Sequence, residues 1–376
     1  MIRNVIVKVT LGCNINCRYC YVRRNREIAD KSQIMDDATL EALIRGVGQY
    51  FGAVSVPDRF VFYWHGGEPL QAGKSFFRRC REFQDRYLPP ALDVVNTIQT
   101  NGILLDDEWA RMARDCGYGI CVSLDGPAEI NDAWRLTANG RGTYDLVVRG
   151  MEALKRNGIP LSVLCVITPE ALPHGARIYR ELRGLGCSWM DFMYPFYSRI
   201  DNTIDVDIQP ERWGRFLSDI FDAWIAEGNP DVDIRLLKDF CMLLLGGKTT
   251  MCIAGVDCSY VVTVNPDGEV HVCDDLLAYA DGRLGNVHRN PFLEIAEHPR
   301  LARLSRRDVL FGEECTNCEL FSFCKGGCTL FRARGRDDFS ARHYYCEAQR
   351  QVIRHIRRHF ASLGVPTAIE AAKCLA

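Results

Sequence analysis

Three closely spaced cysteines near the N-terminus carry the clearest chemical signal in the sequence. Cys13, Cys17 and Cys20 follow a C-x3-C-x2-C pattern directly after an apolar segment, Val5–Thr10. Three thiolates can hold three irons of a cubane iron–sulfur cluster and leave the fourth iron open, whereas four would close the cluster. The alternatives are that these cysteines form half of a zinc site or that they lie close together by chance. The pattern therefore predicts chemistry at an open iron.

A second and larger set of cysteines lies in the C-terminal third of the chain. Its eight thiolates are enough for two fully ligated cubane clusters, which would transfer electrons or stabilise the fold rather than bind a substrate. A zinc ribbon is the alternative, and spacing alone would also allow the fourth to seventh of these cysteines, Cys315, Cys318, Cys324 and Cys328, to share one metal. The eight are Cys252, Cys258, Cys273, Cys315, Cys318, Cys324, Cys328 and Cys346.

Short apolar runs alternate with amphipathic stretches over the first 230 residues, a pattern typical of βα units and a parallel sheet. Six such units are too few for a complete eight-fold barrel, so we expect a partial (β/α)6 barrel. We predict a barrel domain at residues 1–230, a cysteine-rich domain at 231–346 and a helical tail at 347–376. The predicted strands are Val5–Thr10, Phe60–Trp64, Val94–Gln99, Ile120–Leu124, Leu161–Ile167 and Met190–Tyr194. The predicted helices are Asp36–Phe51, Ser75–Tyr87, Asp107–Cys116, Tyr144–Asn157, Gly175–Leu185, Glu211–Glu227 and Tyr345–Ser362, and a hairpin is predicted at Tyr260–Val272.

Composition and charge exclude several classes of protein. The 376 residues are 47% hydrophobic, which is enough for a large core. The formal charge of -2 gives no positive electrostatic field that would attract nucleic acid. No apolar run approaches the roughly 18 residues of a membrane span, and no signal peptide is evident. We therefore expect a cytoplasmic protein without membrane or nucleic-acid partners. The basic stretch Arg354–His359 is expected to be a solvated helix face.

The sequence His65-Gly66-Gly67-Glu68-Pro69 follows the second predicted strand. Adjacent glycines allow close backbone approach, and the glutamate supplies a carboxylate that can accept a hydrogen bond from an amino group. Together with the cysteine triad, this motif resembles the radical SAM enzymes. The resemblance implies that Gly66, Gly67 and Glu68 bind the amino group of S-adenosylmethionine, and that reduction of this cofactor releases a deoxyadenosyl radical.

Other candidate cofactor-binding residues lie near the ends of the predicted strands. Ser123 and Asp125 follow the fourth strand and could reach the cofactor or substrate, although Asp125 could also cap a turn. Arg135 and Arg141 flank a loop, and either could pair with a carboxylate; the sequence does not choose between them. Tyr21 follows the triad and is predicted to pack near the adenine.

The C-terminal cysteines resemble the SPASM extension of radical SAM enzymes. The resemblance implies three [4Fe-4S] clusters in total, one on the triad and two auxiliary ones, and an oxidative reaction on a peptide or protein. It also makes Asp274, directly after Cys273, a candidate proton acceptor, with a surface carboxylate as the alternative. One auxiliary cluster would take Cys252, Cys258, Cys273 and Cys328, and the other Cys315, Cys318, Cys324 and Cys346.

The resemblance leaves the substrate open. Cross-linking of a ribosomally made peptide is the favoured hypothesis, because His65 stands where the sulfatase-maturating branch has glutamine. That branch, which makes formylglycine from serine or cysteine, is the alternative. The first strand is expected to begin too early for a leader-binding domain to precede the barrel, which counts against the cross-linking hypothesis. An electron donor such as flavodoxin or ferredoxin is expected. The alternative to both enzyme hypotheses is a protein that carries electrons but catalyses no reaction.

Overall fold

The computed structural model describes residues 1–24, 33–55, 59–194, 208–249, 251, 258–274, 282–305, 311–333 and 342–368. The chain divides into two compact units. The first comprises Met1–Leu124, Asn131–Ser162 and Cys258–Ser305, and the second comprises Asp125–Ile130, Val163–Asp257 and Arg306–Ala376. The predicted domain boundaries at residues 230 and 346 remain predictions.

Strands and helices alternate through the first half of the described chain, and most elements after Leu244 are short apart from the final helix. The strands are β1 Asn4–Thr10, β2 Arg59–Gly66, β3 Asp93–Thr100, β4 Tyr118–Ser123, β5 Leu161–Val166, β6 Cys187–Met193, β7 Asp233–Ile234, β8 Val261–Val264, β9 Glu269–His271 and β10 Arg283–Asn286. The helices are α1 Tyr21–Arg24, α2 Asp37–Ala53, α3 Gly73–Tyr87, α4 Asp107–Asp115, α5 Ala128–Trp134, α6 Tyr144–Arg156, α7 Gly175–Gly184, α8 Pro210–Glu227, α9 Arg235–Leu244, α10 Phe292–Ala296, α11 Pro299–Ser305, α12 Glu313–Thr316, α13 Phe321–Cys324, α14 Thr329–Ala333 and α15 Cys346–Ser362.

The first unit is organised around β1. Its strand order is β10-β9-β8-β1-β2-β3-β4. Strand β1 runs parallel to β2 and β8, and β3 and β4 continue the parallel arrangement, whereas β8, β9 and β10 pair antiparallel. The predicted hairpin is therefore present as β8 and β9, and its first strand pairs with the first strand of the barrel.

Alternating side chains on β2 separate a core face from a polar face. Phe60, Phe62 and Trp64 are fully buried, and Trp64 packs edge-on against Phe76 of α3 with ring centroids 6.2 Å apart. His65 points to the opposite face, where the β1–β2 register pairs it with Lys8. Because paired residues of parallel strands share a face of the sheet, this register brings two polar side chains together.

Local capping explains where two helices of the first unit begin. The Asp36 carboxylate accepts a hydrogen bond from Thr39 N at 2.7 Å, and the Asp106 carboxylate accepts one from Trp109 N at 2.7 Å. Such caps satisfy backbone donors that the first helical turn leaves unpaired. Asp36, predicted as the first residue of a helix, is therefore its N-cap.

The second unit contains the strand order β5-β6-β7, with β6 and β7 parallel. Helices α8 and α15 pack together, and Trp213 of α8 stacks on Phe216 at 5.2 Å between ring centroids. The short elements β7, α5 and α9 were not predicted. None of the described helices combines the length and the apolar character that crossing a lipid bilayer requires.

Candidate active site

The loop that carries the cysteine triad is held by backbone hydrogen bonds to the segment after α5. Asn16 N donates to Leu136 O at 2.6 Å, and Arg18 N donates to Trp134 O at 2.9 Å. The three cysteines are partly buried. Burial raises the pKa of the Cys13 thiol, and the negative charges of Glu68 and Cys20 add to this effect. Iron binding would overcome this cost, because metals bind the thiolate.

Two side chains direct N–H groups toward the triad sulfurs. Asn101 Nδ2 lies 3.7 Å from Cys13 Sγ, and Arg135 Nη1 lies 3.9 Å from Cys17 Sγ. Hydrogen bonds to cysteine sulfurs are one of the means by which proteins tune the potential of an iron–sulfur cluster. The loop therefore offers both the donor set and the polar surroundings that an open cubane cluster requires.

Gly66 and Gly67 allow the end of β2 to approach the triad loop closely. Gly67 N donates to Thr10 O at 2.7 Å, and Glu68 N donates to Gly12 O at 2.8 Å. A Cβ atom at residue 66 would stand 2.1 Å from Thr10 O, and one at residue 67 would stand 2.0 Å from Gly12 O. Any side chain at either position would force these backbones apart. The two glycines thus allow close contact between two segments of the chain. The sequence had predicted close approach of a ligand instead.

The Glu68 carboxylate has no exposed surface and accepts three hydrogen bonds within the protein. Leu70 N and Thr100 Oγ1 donate to Oε1 at 3.0 and 2.7 Å, and Asn101 N donates to Oε2 at 2.7 Å. Burial raises its pKa to about 7, although these donors lower it in part. In this arrangement Glu68 fixes the Gly-Gly-Glu-Pro turn against the end of β3. Its role toward an amino group remains a prediction.

Asp274 lies at the centre of a buried polar cluster formed with Lys8, Tyr21 and His65. Its Oδ2 atom accepts hydrogen bonds from Lys8 Nζ at 2.6 Å and from Tyr21 Oη at 2.5 Å. Its Oδ1 atom is buried and has no hydrogen-bond partner among the described residues. Burial raises the pKa of Asp274, but the Lys8 ammonium and the two hydrogen bonds leave it below its ordinary value. Asp274 is therefore an ionised carboxylate with one oxygen held by Lys8 and Tyr21 and the other without a hydrogen-bond partner among the described residues.

The imidazole of His65 completes this cluster as a neutral acceptor. Lys8 Nζ lies 3.1 Å from His65 Nδ1, and Gly66 N donates to the same atom at 2.7 Å. Burial and the Lys8 charge lower the pKa of His65 to about 3. A ring that accepts at Nδ1 carries its proton on Nε2. His65 thus acts as a hydrogen-bond acceptor for Lys8 and not as a cation.

Replacing Lys8 with methionine should destabilise the protein and leave Asp274 buried without a counter-ion. Lys8 is fully buried and the Asp274 side chain is 13% exposed. Removing one partner of such a pair costs about 3 kcal/mol of unfolding free energy. The matched control is Lys238→Met, which breaks a Lys238–Asp233 pair of the same 2.6 Å length whose side chains are 53% and 30% exposed. Its cost should stay below about 1 kcal/mol. Equal losses in denaturant unfolding would contradict the account of Lys8.

The structure distinguishes the two arginines that the sequence could not rank. Arg135 is buried, lies over the Tyr19 ring at 5.5 Å and reaches Cys17, whereas Arg141 is exposed in a turn closed by the Thr137 N to Arg141 O hydrogen bond at 2.7 Å. Arg135 therefore lies beside the cysteine triad, and its pairing with a carboxylate of the cofactor or substrate remains a prediction. Arg141 remains a candidate only on the basis of the sequence.

Ser123 and Asp125 take part in separate contacts at strand ends. Ser123 Oγ accepts a hydrogen bond from Gln99 Nε2 at 2.9 Å within the first unit. Asp125 belongs to the second unit, is fully buried, and its Oδ1 accepts from Val166 N at 2.9 Å. Asp125 thus ties its segment to the end of β5. Cofactor binding by either residue remains a prediction.

Four of the C-terminal cysteines affect one another's pKa values. Burial, together with the nearby charges of Cys346, Cys318 and Cys315, raises the pKa of Cys324 to about 11. The pKa of Cys315 is likewise raised, first by burial and then by Cys346 and Cys318. These electrostatic couplings involve the four residues of one inferred ligand set, Cys315, Cys318, Cys324 and Cys346, which remains a prediction.

The other predicted ligands are distributed between the two units. Cys258 and Cys273 belong to the first unit and Cys328 to the second, while Cys252 lies outside the described residues. Within the described ranges, no group of three or more Cys, His, Asp or Glu side chains is arranged to hold a single metal ion. A cubane cluster binds each cysteine through a different iron, so its ligands do not converge on one point.

Lys8 was not predicted to lie beside Asp274 and His65. The available signal was a lysine within the apolar run Val5-Ile6-Val7-Lys8-Val9, since a charged residue in a buried strand needs a partner. Tyr21 was predicted to pack near the adenine, but its hydroxyl group contacts Asp274. The sequence therefore pointed to Tyr21 and Asp274 without indicating that they meet.

Two family models match the chain. Residues 7–182 match the radical SAM superfamily, and residues 256–319 match SPASM, an iron–sulfur cluster-binding domain. The chain is 29% identical over 360 residues to a cysteine-type anaerobic sulfatase-maturating enzyme of Clostridium perfringens, covering 93% of this chain and 95% of the relative. It is 30% identical over 319 residues to a serine-type enzyme of Klebsiella aerogenes, covering 84% of this chain and 77% of the relative.

A solved structure extends the similarity to three dimensions. It is described as native anSMEcpe with bound AdoMet and Cp18Cys peptide. The TM-score is 0.85 at 26% identity, and the alignment covers 96% of this chain and 98% of that one. The similarity spans both compact units.

Proposed function

The chain belongs to the radical SAM superfamily and carries the SPASM extension, and from this premise we propose that it is an anaerobic sulfatase-maturating enzyme. The predicted partial barrel, and the predicted S-adenosylmethionine and iron–sulfur cofactors, are confirmed by the family models and the solved structure. The chain is an enzyme that acts on a peptide or protein. The finer proposal is that it converts a cysteine or serine of a sulfatase to formylglycine.

The observation that carries this proposal is the environment of Asp274. One carboxylate oxygen is held by Lys8 and Tyr21, and the other is buried and unpaired among the described residues. A base of this kind suits the removal of a proton from a substrate thiol or hydroxyl group. Similarity to the sulfatase-maturating enzymes over nearly the whole chain supports the choice of branch.

The proposed oxidation balances with one hydrogen atom, one proton and one electron leaving the substrate. When bound at the triad, S-adenosylmethionine supplies a deoxyadenosyl radical that removes the hydrogen atom from the side-chain carbon. Asp274 accepts the proton from the neighbouring oxygen or sulfur, and Lys8 and Tyr21 hold the carboxylate in place. The auxiliary clusters that the C-terminal cysteines would hold would supply the acceptor for the electron. Serine becomes the aldehyde directly, whereas cysteine requires water, which releases sulfide.

The comparisons favour this function over the cross-linking hypothesis that the sequence analysis preferred. That preference depended on His65 in place of glutamine, yet His65 is a neutral hydrogen-bond acceptor for Lys8. An amide oxygen of glutamine fulfils the same role. The non-catalytic carrier hypothesis fails because the relatives are enzymes that modify proteins.

We further propose an acidic one-electron donor such as flavodoxin or ferredoxin and a peptide or protein substrate. A cytoplasmic location would suit both, because the reducing cytosol preserves thiolates for cluster assembly. The relatives include both cysteine-type and serine-type enzymes, so the proposal covers both residues.

Replacing His65 with glutamine should preserve activity within about threefold, since the amide oxygen accepts the Lys8 and Gly66 hydrogen bonds. His65→Leu is the matched variant that removes the acceptor, and we expect it to lose about tenfold. The folded imidazole binds a proton only near pH 3, whereas the unfolded one does so below about pH 6.5. His65 therefore lowers stability as the pH falls from 6.5 toward 3, and glutamine should remove this contribution. Equal activity of both variants would contradict the assigned role.

The function is tested by incubating reconstituted protein, S-adenosylmethionine and dithionite with a sulfatase peptide that contains either cysteine or serine. The expected product is an aldehyde that reacts with a hydrazide probe and appears by mass spectrometry at the modified residue. A product that loses two hydrogens, joins two residues and does not react with the probe would favour cross-linking instead.

A further inference from the structure

A basic surface lies along α15 and is not used by the proposed chemistry. We define it by Arg350, Arg354, Arg357 and Arg358. Arg354 and Arg358 are exposed, and Arg357 and Arg350 are partly exposed. The acidic residue on this helix is Glu347, near its N-terminus. The sequence analysis expected a solvated helix face here.

This surface begins at a predicted ligand of an auxiliary cluster. Cys346 is the first residue of α15. Because an α-helix rises about 1.5 Å per residue, Arg354 lies about 12 Å and Arg358 about 18 Å from Cys346 along the helix axis. The positive side chains thus extend outward from the cysteine group of Cys315, Cys318, Cys324 and Cys346.

Ion pairs connect the basic surface to a second ligand segment. Glu319 directly follows Cys318, and its carboxylate lies 3.8 Å from Arg354 Nη2 and 3.6 Å from Arg357 Nη1. Glu319 is partly exposed, so these are partly solvated interactions that position the side chains at little energetic gain. The arginines and the predicted cluster ligands therefore belong to one local structure.

The remaining charges around the surface leave it positive. A cavity of about 590 Å³ beside α15 is lined by Arg354, Arg357, Arg358, Gln351, Glu347 and Glu211 of α8. The four arginines that define the surface outnumber the three glutamates beside them, Glu211, Glu319 and Glu347. His355 of the same helix is paired with Asp222 of α8 at 2.6 Å. A partner with clustered carboxylates would be attracted to this face.

We propose that the basic surface of α15 is the docking site for an acidic, flavodoxin-class electron carrier protein. The contact would serve transfer of one electron from the reduced carrier to the cluster that Cys315, Cys318, Cys324 and Cys346 would hold. No bond forms or breaks in that transfer, and the electron is finally consumed by reduction of S-adenosylmethionine at the triad. The carrier needs only a small, charge-guided interface, because redox encounters are weak and brief. This inference rests on the proposed function for the identity of the cluster.

The test compares flavodoxin binding and flavodoxin-driven turnover in the full-length, cluster-loaded protein. Arg354→Glu/Arg358→Glu should raise the Kd for flavodoxin by at least about tenfold. The same variant should form deoxyadenosine with dithionite at a rate within about twofold of the original protein. The control is Arg111→Glu/Arg149→Glu, which makes the same charge change at exposed positions of α4 and α6. Its Kd should change less than twofold.

Two outcomes would overturn the proposal. One is an unchanged Kd in the α15 variant, and the other is an equal rise in the control, which would indicate a general charge effect. If the double glutamate variant loses iron, Arg354→Gln/Arg358→Gln removes the charges without placing a carboxylate beside Glu319, and it should raise the Kd by about threefold or more. Formylglycine formation with dithionite is measured separately, so failure of docking is distinguishable from failure of the proposed function.

Discussion

Replacing Cys13, Cys17 and Cys20 together with alanine should abolish deoxyadenosine formation completely. Radical generation requires the open iron, and no other part of the proposed site replaces three thiolate ligands. The protein should still bind iron at its C-terminal cysteines, and its ultraviolet–visible spectrum should keep the iron–sulfur absorption of the auxiliary clusters. Deoxyadenosine is measured by chromatography after anaerobic incubation with dithionite and S-adenosylmethionine.

The matched control is Cys80→Ala, which removes a fully buried cysteine of α3 that belongs to neither cysteine set. It should cost about 1 kcal/mol of stability through the small cavity left behind and leave deoxyadenosine formation intact. If the triple variant retained deoxyadenosine formation, the triad would not hold the radical-forming cluster.

Replacing Asp274 with asparagine should reduce formylglycine formation by a factor of about 100 to 10,000 while deoxyadenosine continues to form. Asparagine has the same shape and can still accept hydrogen bonds from Lys8 and Tyr21, but it cannot take a proton from the substrate. Hydrogen abstraction precedes proton transfer in the proposed order, so the radical should still form, but most of it should not lead to formylglycine. The measurement is the ratio of aldehyde product to deoxyadenosine.

Asp85→Asn provides the control, because Asp85 is an exposed carboxylate whose side chain is 69% accessible and pairs with Arg81. Its product ratio should equal that of the unchanged protein. A normal product ratio in Asp274→Asn would show that another group accepts the proton. Loss of both product and deoxyadenosine would point instead to a structural role for the Lys8–Asp274 pair.

The elements of the barrel could be predicted because their signals are local. Each predicted strand overlaps an observed one, since alternating or continuous apolar runs bounded by turns are readable within a short window. The short helix Ala128–Trp134 was missed because seven residues give too little periodicity to distinguish a helix from a loop.

The contacts that assemble the site could not be predicted in this way. Lys8 and Asp274 are 266 positions apart in sequence, and their contact follows from the pairing of β8 with β1. Gly66 and Gly67 were predicted to allow close approach of a ligand, and that role remains a prediction. The groups that approach them within the chain are the carbonyl oxygens of Thr10 and Gly12, which only the three-dimensional register identifies. Likewise, burial separates Arg135 from Arg141, and burial depends on tertiary packing.

The most direct test of the central claim uses a sulfatase peptide whose target cysteine or serine carries deuterium at the side-chain carbon. Abstraction from that carbon predicts one deuterium in deoxyadenosine for each formylglycine formed, with the aldehyde at the labelled residue. Deoxyadenosine without deuterium, or deuterium transfer that gives two joined residues and no aldehyde, would contradict the assignment of this chain as a sulfatase-maturating enzyme.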